Sequence, residues 1–395
     1  MLFRSNKHYE DTAEVNALKN LGNRQKEFDS AIKYLQSALE LSQKLNYKKG
    51  ETECLFDIMN LYYKNNGLGE SIEYTLKLLN VYKEIGDYDG VCNMALYLQG
   101  MYRDDVGDFR KALNYSLPGK EIAISKNVKN TASFPGHRAA PLFSAEIANT
   151  YLVMNEIDSA LFYTNDAISQ NELFNGAKWN FPFYLLAKIQ YKEGNYKQSL
   201  EYFRKTITLA KQNELQHQHD TLQAYSGMST LFVKTGEIDS AIYYGQMVAQ
   251  SNNPDQEPKH LLEAFTSLAE AYKLNGSKDS AIKYLELRYA LKDSLFNIHK
   301  DRQVQNITFN QSLKQQEILS EQLKYKNKIQ LYTLAGGIVV MLLIVGLLLR
   351  NNKHKQHAKE KIEKAYSELK STQLQLIQSE KMASLGELTD RKSVV

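Results

Sequence analysis

From Phe28 to Leu291, apolar side chains recur at steps of three and four, as in Ala31, Leu35 and Ala38, or Ala281 and Leu285. That is the period of one face of a helix, so this stretch is predicted to be a series of amphipathic helices. The pattern then changes. Between Ser294 and Gln330 it is polar, without Pro or Gly, with apolar residues at Ile307, Leu313, Ile318, Leu319 and Leu323, and it reads as one long helix. From Leu331 to Leu349 it closes into LYTLAGGIVVMLLIVGLLL, 19 residues without a charge, Pro, Asn or Gln. As a helix this run is about 28 Å long, close to the roughly 30 Å hydrocarbon core of a bilayer. A buried core helix is the alternative. The run is apolar on all faces and stops at Arg350 and a basic tract, which points to a membrane span instead. After it, Ile362, Tyr366, Leu369, Gln373 and Leu376 recur at steps of four, three, four and three. That is one heptad seam with a polar break at Gln373, as in a parallel two-stranded coiled coil; a lone amphipathic helix is the alternative.

A longer period overlies the helical one. A turn followed by a small residue opening a helix recurs as FDSAIKYL, LGESIEYT, GDFRKALN, EIDSALFY, GNYKQSLEY, GEIDSAIYY and SKDSAIKYL. The small residues in register are Ala31, Ser71, Ala112, Ala160, Ser199, Ala241 and Ala281, at spacings of 40, 41, 48, 39, 42 and 40. Gly107, Gly194, Gly236 and Gly276 stand five residues before them, where a turn between helices favours Gly. Twelve residues before stand Gly100, Ala148, Ala187, Ser229 and Ala269, and nine before stand Tyr62, Tyr151, Phe232 and Tyr272. Small residues on both helices of a unit let them approach closely, with the aromatic filling the space beside them. A fixed period of this size means stacked units.

This order of small residue, aromatic, Gly and small residue resembles the tetratricopeptide repeat over Asn23–Ser294, in seven copies. The resemblance implies an all-α superhelical solenoid whose concave groove binds a peptide or protein segment. The period exceeds the usual 34 or so, and Pro135–Gly136 and Pro141 mark an irregular loop before the fourth unit. The domains expected are an incomplete N-terminal helix (1–22), the solenoid (23–294), a helical rod (295–330), the span (331–349), a cytoplasmic coiled coil (350–389) and an aberrant end (390–395).

Charge adds topology. The net charge is +4, and all of the excess lies from Arg350 onward; the rest of the chain is neutral, so no nucleic-acid partner is indicated. Six Lys/Arg follow the span closely (Arg350, Lys353, Lys355, Lys359, Lys361, Lys364) and four precede it (Lys314, Lys324, Lys326, Lys328). That bias predicts a single-pass protein of the inner membrane, with the tail in the cytoplasm and the solenoid outside. The stretch after Met1, LFRSNKHYEDTAEV, has no apolar core of a secretory signal, and a start further upstream is expected. Cys54 and Cys92 have no metal spacing and are expected as free buried thiols. His217 and His219 are poorly spaced for one helix face; His354 and His357 are better spaced, but neither pair has companion ligands, so no metal is assigned. No nucleophile is paired with a base, and no phosphate loop is present.

The tail LKSTQLQLIQSEKMASLGELT, Leu369–Thr389, resembles the approach to the dimerisation and phosphoacceptor helix of bacterial sensor histidine kinases. In that family a His-Glu pair follows, and the His accepts phosphate from ATP bound with Mg²⁺ in a further domain. Here the sequence turns to DRKSVV at Asp390, and Val394 stands where the register would place the His. The resemblance implies the sensor and transmembrane part of a two-component kinase: a homodimer through the coiled coil, a response regulator as partner of a full-length protein, and no cofactor or catalytic residue in these residues. The alternative is a catalytically inert membrane-anchored scaffold.

Overall fold

Helices α1 (Leu2–Arg24) and α2 (Phe28–Lys44) open the chain, and the computed structural model continues in the same way to its end. It describes residues 2–129, 138–173, 179–212, 217–251 and 258–390. The further helices are α3 (Lys48–Lys64), α4 (Leu68–Ile85), α5 (Tyr88–Gly100), α6 (Phe109–Ser125), α7 (Ala139–Val153), α8 (Ile157–Leu173), α9 (Phe181–Lys192), α10 (Tyr196–Ala210), α11 (His217–Thr235), α12 (Ile238–Ala249), α13 (Pro258–Leu274) and α14 (Lys278–Asp390). A six-residue π-helical segment, Met101–Val106, extends α5. There is no strand among the described residues. The chain divides into two units, 1–311 and 312–395.

In the first unit, sequential helices pair into hairpins, from α1–α2 to α13 with the start of α14. Several odd-numbered helices also touch the next odd-numbered one, α1 with α3, α7 with α9, α9 with α11 and α11 with α13, whereas even-numbered ones do not reach each other to the same extent. The odd helices therefore form the tighter, inner layer and the even helices the outer layer of a curved stack.

From α3–α4 onward, each hairpin turns on a residue in the left-handed region. At Gly107, Gly194, Gly236 and Gly276 φ is 75°, 83°, 82° and 77°, and at Asn66 and Asn155 it is 61° and 64°. Asn is the side chain that tolerates this region best after Gly, because its short amide bonds locally. Asn66 and Asn155 hold the register position of the glycines. Apart from the Gly107 turn, these turns close in one way: Gly67 N donates to Tyr62 O (2.8 Å), Glu156 N to Tyr151 O (2.9 Å) and Ser277 N to Tyr272 O (3.0 Å).

Ala31, Ser71, Ala112, Ala160, Ser199, Ala241 and Ala281 all lie buried where the helices of a hairpin cross. Ser199 Oγ donates across that crossing to Ala187 O, and Ser229 Oγ to Ala241 O, each at 2.8 Å. The aromatic position on the odd helix stacks on an aromatic three residues after the small residue. The pairs are Tyr62–Tyr74, Tyr102–Tyr115, Tyr151–Tyr163, Phe232–Tyr244 and Tyr272–Tyr284, with ring centroids 5.6–5.7 Å apart and planes within 15°. Each pair adds about 0.5–1.5 kcal/mol beyond its burial.

The N-terminal polar pattern predicts an incomplete first unit, yet α1 has 23 residues and packs on α2. Contact at a few positions, Gly22 against Leu35 among them, supplies what a regular stripe would otherwise do. The loop at Pro135–Gly136 and residues 391–395 lie outside the described residues.

In the second unit, α14 runs through the apolar stretch without a break. It is long and apolar enough to cross a membrane. From Leu331 to Leu349 its large apolar side chains are exposed, Tyr332 at 71% and Leu347 at 65%. A stretch of that size facing outwards needs an apolar environment. Ile362, Tyr366, Leu369 and Leu376 are likewise exposed on the single chain.

Candidate ligand-binding face

The inner layer carries most of the polar chemistry. Leucines, alanines and the stacked aromatics fill the space between layers, which leaves the free face of the odd helices for charged and amide side chains. A cleft of about 370 Å³ opens there between α3, α5 with its π segment, and α7. Met59, Asn60 and Tyr63 come from α3, Tyr97 and Gln99 from α5, Arg103 and Asp105 from the π segment, and Glu146 from α7. A second cleft of about 300 Å³ adjoins it across Tyr97, lined by Lys19, Glu53, Phe56, Asp57 and Asn93. Phe56 and Tyr97 meet edge to face at 6.2 Å between them.

The π segment sets the first cleft. In the other hairpins with a left-handed turn residue the turn amide reaches back five residues, but Asp108 N donates to Tyr102 O, six residues back, at 2.8 Å. One extra residue has been taken into the helix, and a single π turn accommodates it. The aromatic position thereby falls on Tyr102, one earlier than the spacing predicts. Gly100, read from the sequence as a close-packing position, has open space where a Cβ would be. Gln99 takes the buried place instead and donates to Thr150 Oγ1 at 3.2 Å.

The charges of the cleft are paired. Arg103 is 8% exposed, forms a salt bridge to Glu146, and donates from Nε and Nη2 to Asp104 at 2.9 and 2.6 Å. Burial works against its charge, but Glu146 and Asp104 outweigh it and hold the guanidinium protonated. Asp105, 7% exposed, pairs with Arg302 of α14 and accepts from Tyr63 OH at 3.1 Å. Burial, and then the Asp105 carboxylate, push the Tyr63 hydroxyl up to about 12. In the second cleft Lys19 pairs with Glu53, and Asp57 accepts from Asn23 at 2.7 Å. Burial raises the Asp57 pKa above its ordinary value. Asn93 Oδ1 is buried without a partner, an acceptor facing a cleft.

Further along the inner layer, Lys188 of α9 reaches Glu263 of α13 at 2.7 Å over α11. Ser226 of α11 donates to the other carboxylate oxygen at 3.0 Å. One ion pair thus ties three successive inner helices. The inner-face residues do not include the repeat-packing set, which sits at the crossings between layers. Tyr63, Arg103, Asp105 and Glu146 had one signal in the sequence: the aromatic of the third unit lies ten residues before Ala112 where four other units have nine.

Cys54 and Cys92 are buried free thiols. No group of three or more His, Cys, Asp or Glu side chains that could hold a metal occurs among the described residues. The side chains of His217 and His219 lie outside them; His354 is exposed and His357 faces Glu360 at 3.4 Å.

The tetratricopeptide repeat, as a sequence family, matches residues 182–213, the hairpin α9–α10. The crystal structure of the apo form of RapI superposes with a TM-score of 0.53 at 17% identity, covering 74% of this chain and 99% of that one. The chain carries a tetratricopeptide-repeat solenoid. In sequence, response regulator aspartate phosphatase E of Bacillus subtilis (strain 168) is 24% identical over 272 residues, 67% of this chain and 68% of that protein.

Proposed function

We propose that this chain is the sensing and transmembrane part of a two-component signalling protein, a histidine kinase in its full-length form. The tetratricopeptide-repeat solenoid binds a peptide or an extended protein segment on its inner face. The observation that carries this reading is the polar, charge-lined cleft between α3, the π segment and α7, in a curved stack where extended ligands are held by side chains from successive hairpins. The similar Bacillus protein is named for its action on response regulators, which supports a place for such a solenoid in phosphotransfer signalling. The words QSEKMASLGELT support a kinase helix after the span, and the exposed seam of Ile362, Tyr366, Leu369 and Leu376 supports a homodimer there. The apolar run of α14 supports a single pass through the inner membrane, with the solenoid outside. ATP and Mg²⁺ belong to a kinase domain outside these residues.

The test is binding of a fluorescent hexapeptide library to the protein in lipid nanodiscs, with Glu146→Ala and Lys188→Ala variants. Binding that both variants leave unchanged would remove the inner face as the site. Topology is read separately by alkaline phosphatase fusions at residues 30 and 370: activity at 370 and none at 30 would invert the orientation.

A further inference from the structure

Helix α14 leaves the last hairpin and returns to the solenoid at the second and third. Arg302 forms its salt bridge to Asp105 of the π segment, and Gln305 Oε1 accepts from Leu68 N at 3.0 Å. The two residues are three apart and so share one face of the helix. Both of their partners are groups that need satisfying. Leu68 N–H is the first amide of α4, one of the donors a helix leaves without an internal acceptor. Asp105 is the more deeply buried member of its pair, 7% exposed against 21% for Arg302. The solenoid therefore supplies a fixed carboxylate with Tyr63 OH on one oxygen, and the guanidinium arrives from the more exposed side.

We infer that Asp105 and Tyr63 form a guanidinium site on the inner face, filled in this structure by the chain's own Arg302, and that an arginine-bearing peptide enters the cleft by taking its place. The inference rests on the peptide-binding reading above and adds the class of ligand and the step that couples it to α14. Without Arg302 the cleft presents Asp104, Asp105 and Glu146 against Arg103 alone, a field that draws a cation. A planar fork suits a buried carboxylate better than an ammonium does, because two donors meet it at once. Arg302 and the ligand compete for one site, so peptide binding frees residues 302–305 of α14. Self-occupancy lowers the apparent affinity for the peptide by the fraction of molecules in which the site is filled.

The Leu68 amide reports this directly, since Gln305 leaves with Arg302. The experiment is hydrogen exchange resolved to Leu68, on the full chain in lipid nanodiscs, with acetyl-Gly-Arg-Gly-amide and its citrulline analogue as probes. Expected results are Leu68 exchange about tenfold faster in Arg302→Ala and a saturable rise of the same kind in wild type with the arginine probe. Arg302→Ala is expected to bind that probe about tenfold more tightly than wild type, and adding Asp105→Asn to abolish the binding. Amides around Ala241 stay as in wild type if the fold is intact. Unchanged Leu68 exchange in Arg302→Ala, or equal action of the citrulline probe, would overturn the inference. So would an arginine probe that binds Arg302→Ala no better than wild type. A peptide that binds the inner face without moving Leu68 exchange overturns it while the peptide-sensing reading stands.

Discussion

Replacing Gly227 by Ala places a methyl group against a ring that cannot retreat. Gly227 lies within α11, and a Cβ there would stand 2.3 Å from Cζ and 2.5 Å from Cε1 of Phe203 on α10. Phe203 is 1% exposed and among the largest fully buried side chains, in the same core cluster as Trp179. Two effects of opposite sign compete. Ala in a helix is better than Gly by about 0.8–1 kcal/mol. Overpacking a filled core costs about 1–3 kcal/mol. An overlap of more than an ångström, with a ring closed in on all sides, belongs at the upper end of that range, so the net expectation is destabilisation by about 2 kcal/mol. Gly100→Ala is the control. Its backbone is also helical, φ −61° and ψ −50°, but nothing lies within 4 Å of its Cβ, so it should stabilise by about 0.8–1 kcal/mol. Urea unfolding in detergent, followed by the fluorescence of Trp179, the single tryptophan, reads both midpoints. Adding Phe203→Leu to Gly227→Ala should recover about 1 kcal/mol, as a non-additive term between contacting residues. If Gly227→Ala unfolds at a higher urea concentration than wild type, the packing account of this joint is wrong.

Other expectations follow from the charges and the apolar run. In Lys188→Met, Glu263 is left without its cation, and stability should fall by about 1–3 kcal/mol near neutral pH. Burial raises the Glu263 pKa but Lys188 more than offsets it, so in wild type the pKa lies below the ordinary value of about 4.3. The wild-type contribution is therefore present above that value and is lost as pH falls through the lowered pKa, whereas in the variant acid relieves the cost. Melting curves between pH 3 and 8 separate the two, and parallel profiles would refute the assignment. Burial pushes both Cys54 and Cys92 up to about 12. At pH 8 the folded protein should leave a thiol-exchange chromophore unreacted, and both thiols should react in denaturant. Deleting residues 331–349 should move the protein from the alkali-resistant membrane fraction to the soluble one; retention in the membrane would mean that another segment anchors it.

The architecture was legible because it repeats. Seven small residues in register, four glycines before them and aromatics at a fixed offset specify helix crossings, and each unit repeats the others' message. Asn66 and Asn155 were missed as turn residues because their side chains do at those positions what the glycines do by lacking one. The second aromatic of each stack, such as Tyr74 or Tyr284, lay in the quoted phrases but gained meaning only once the crossing showed it facing the first. The inner face was not legible. Its residues differ from unit to unit, as they must if they recognise a ligand, so no period marks them. Contacts such as Lys188 with Glu263, or Arg302 with Asp105, join helices far apart in sequence, and curvature alone brings them together.

One local irregularity could have been found, and it gives a further test. Repeats in a stack are held by their neighbours on both sides, so an extra residue cannot shift the flanks of its unit. The Tyr102–Tyr115 stack and the Gly107 turn keep the third hairpin in register, and the added residue is taken up between them, on the inner side, as a π turn. It is there that Arg103 and Asp105 project. Removing Asp104 should let Met101–Val106 return to an α-helix with the stack and the turn in place. Stability should then fall by about 1–3 kcal/mol without loss of the fold, since Asp105 is left buried without its cation while the packed crossing is untouched. Asp105, however, would swing by about 40°, and Arg103 by about 20°, as the turn tightens from about 82° to about 100° per residue between fixed ends. The salt bridge to Arg302 would be lost, and the Leu68 amide would exchange as fast as in Arg302→Ala. If instead the protein unfolds when Asp104 is removed, the π turn is part of what holds the stack, and its place beside the cleft is a consequence of packing.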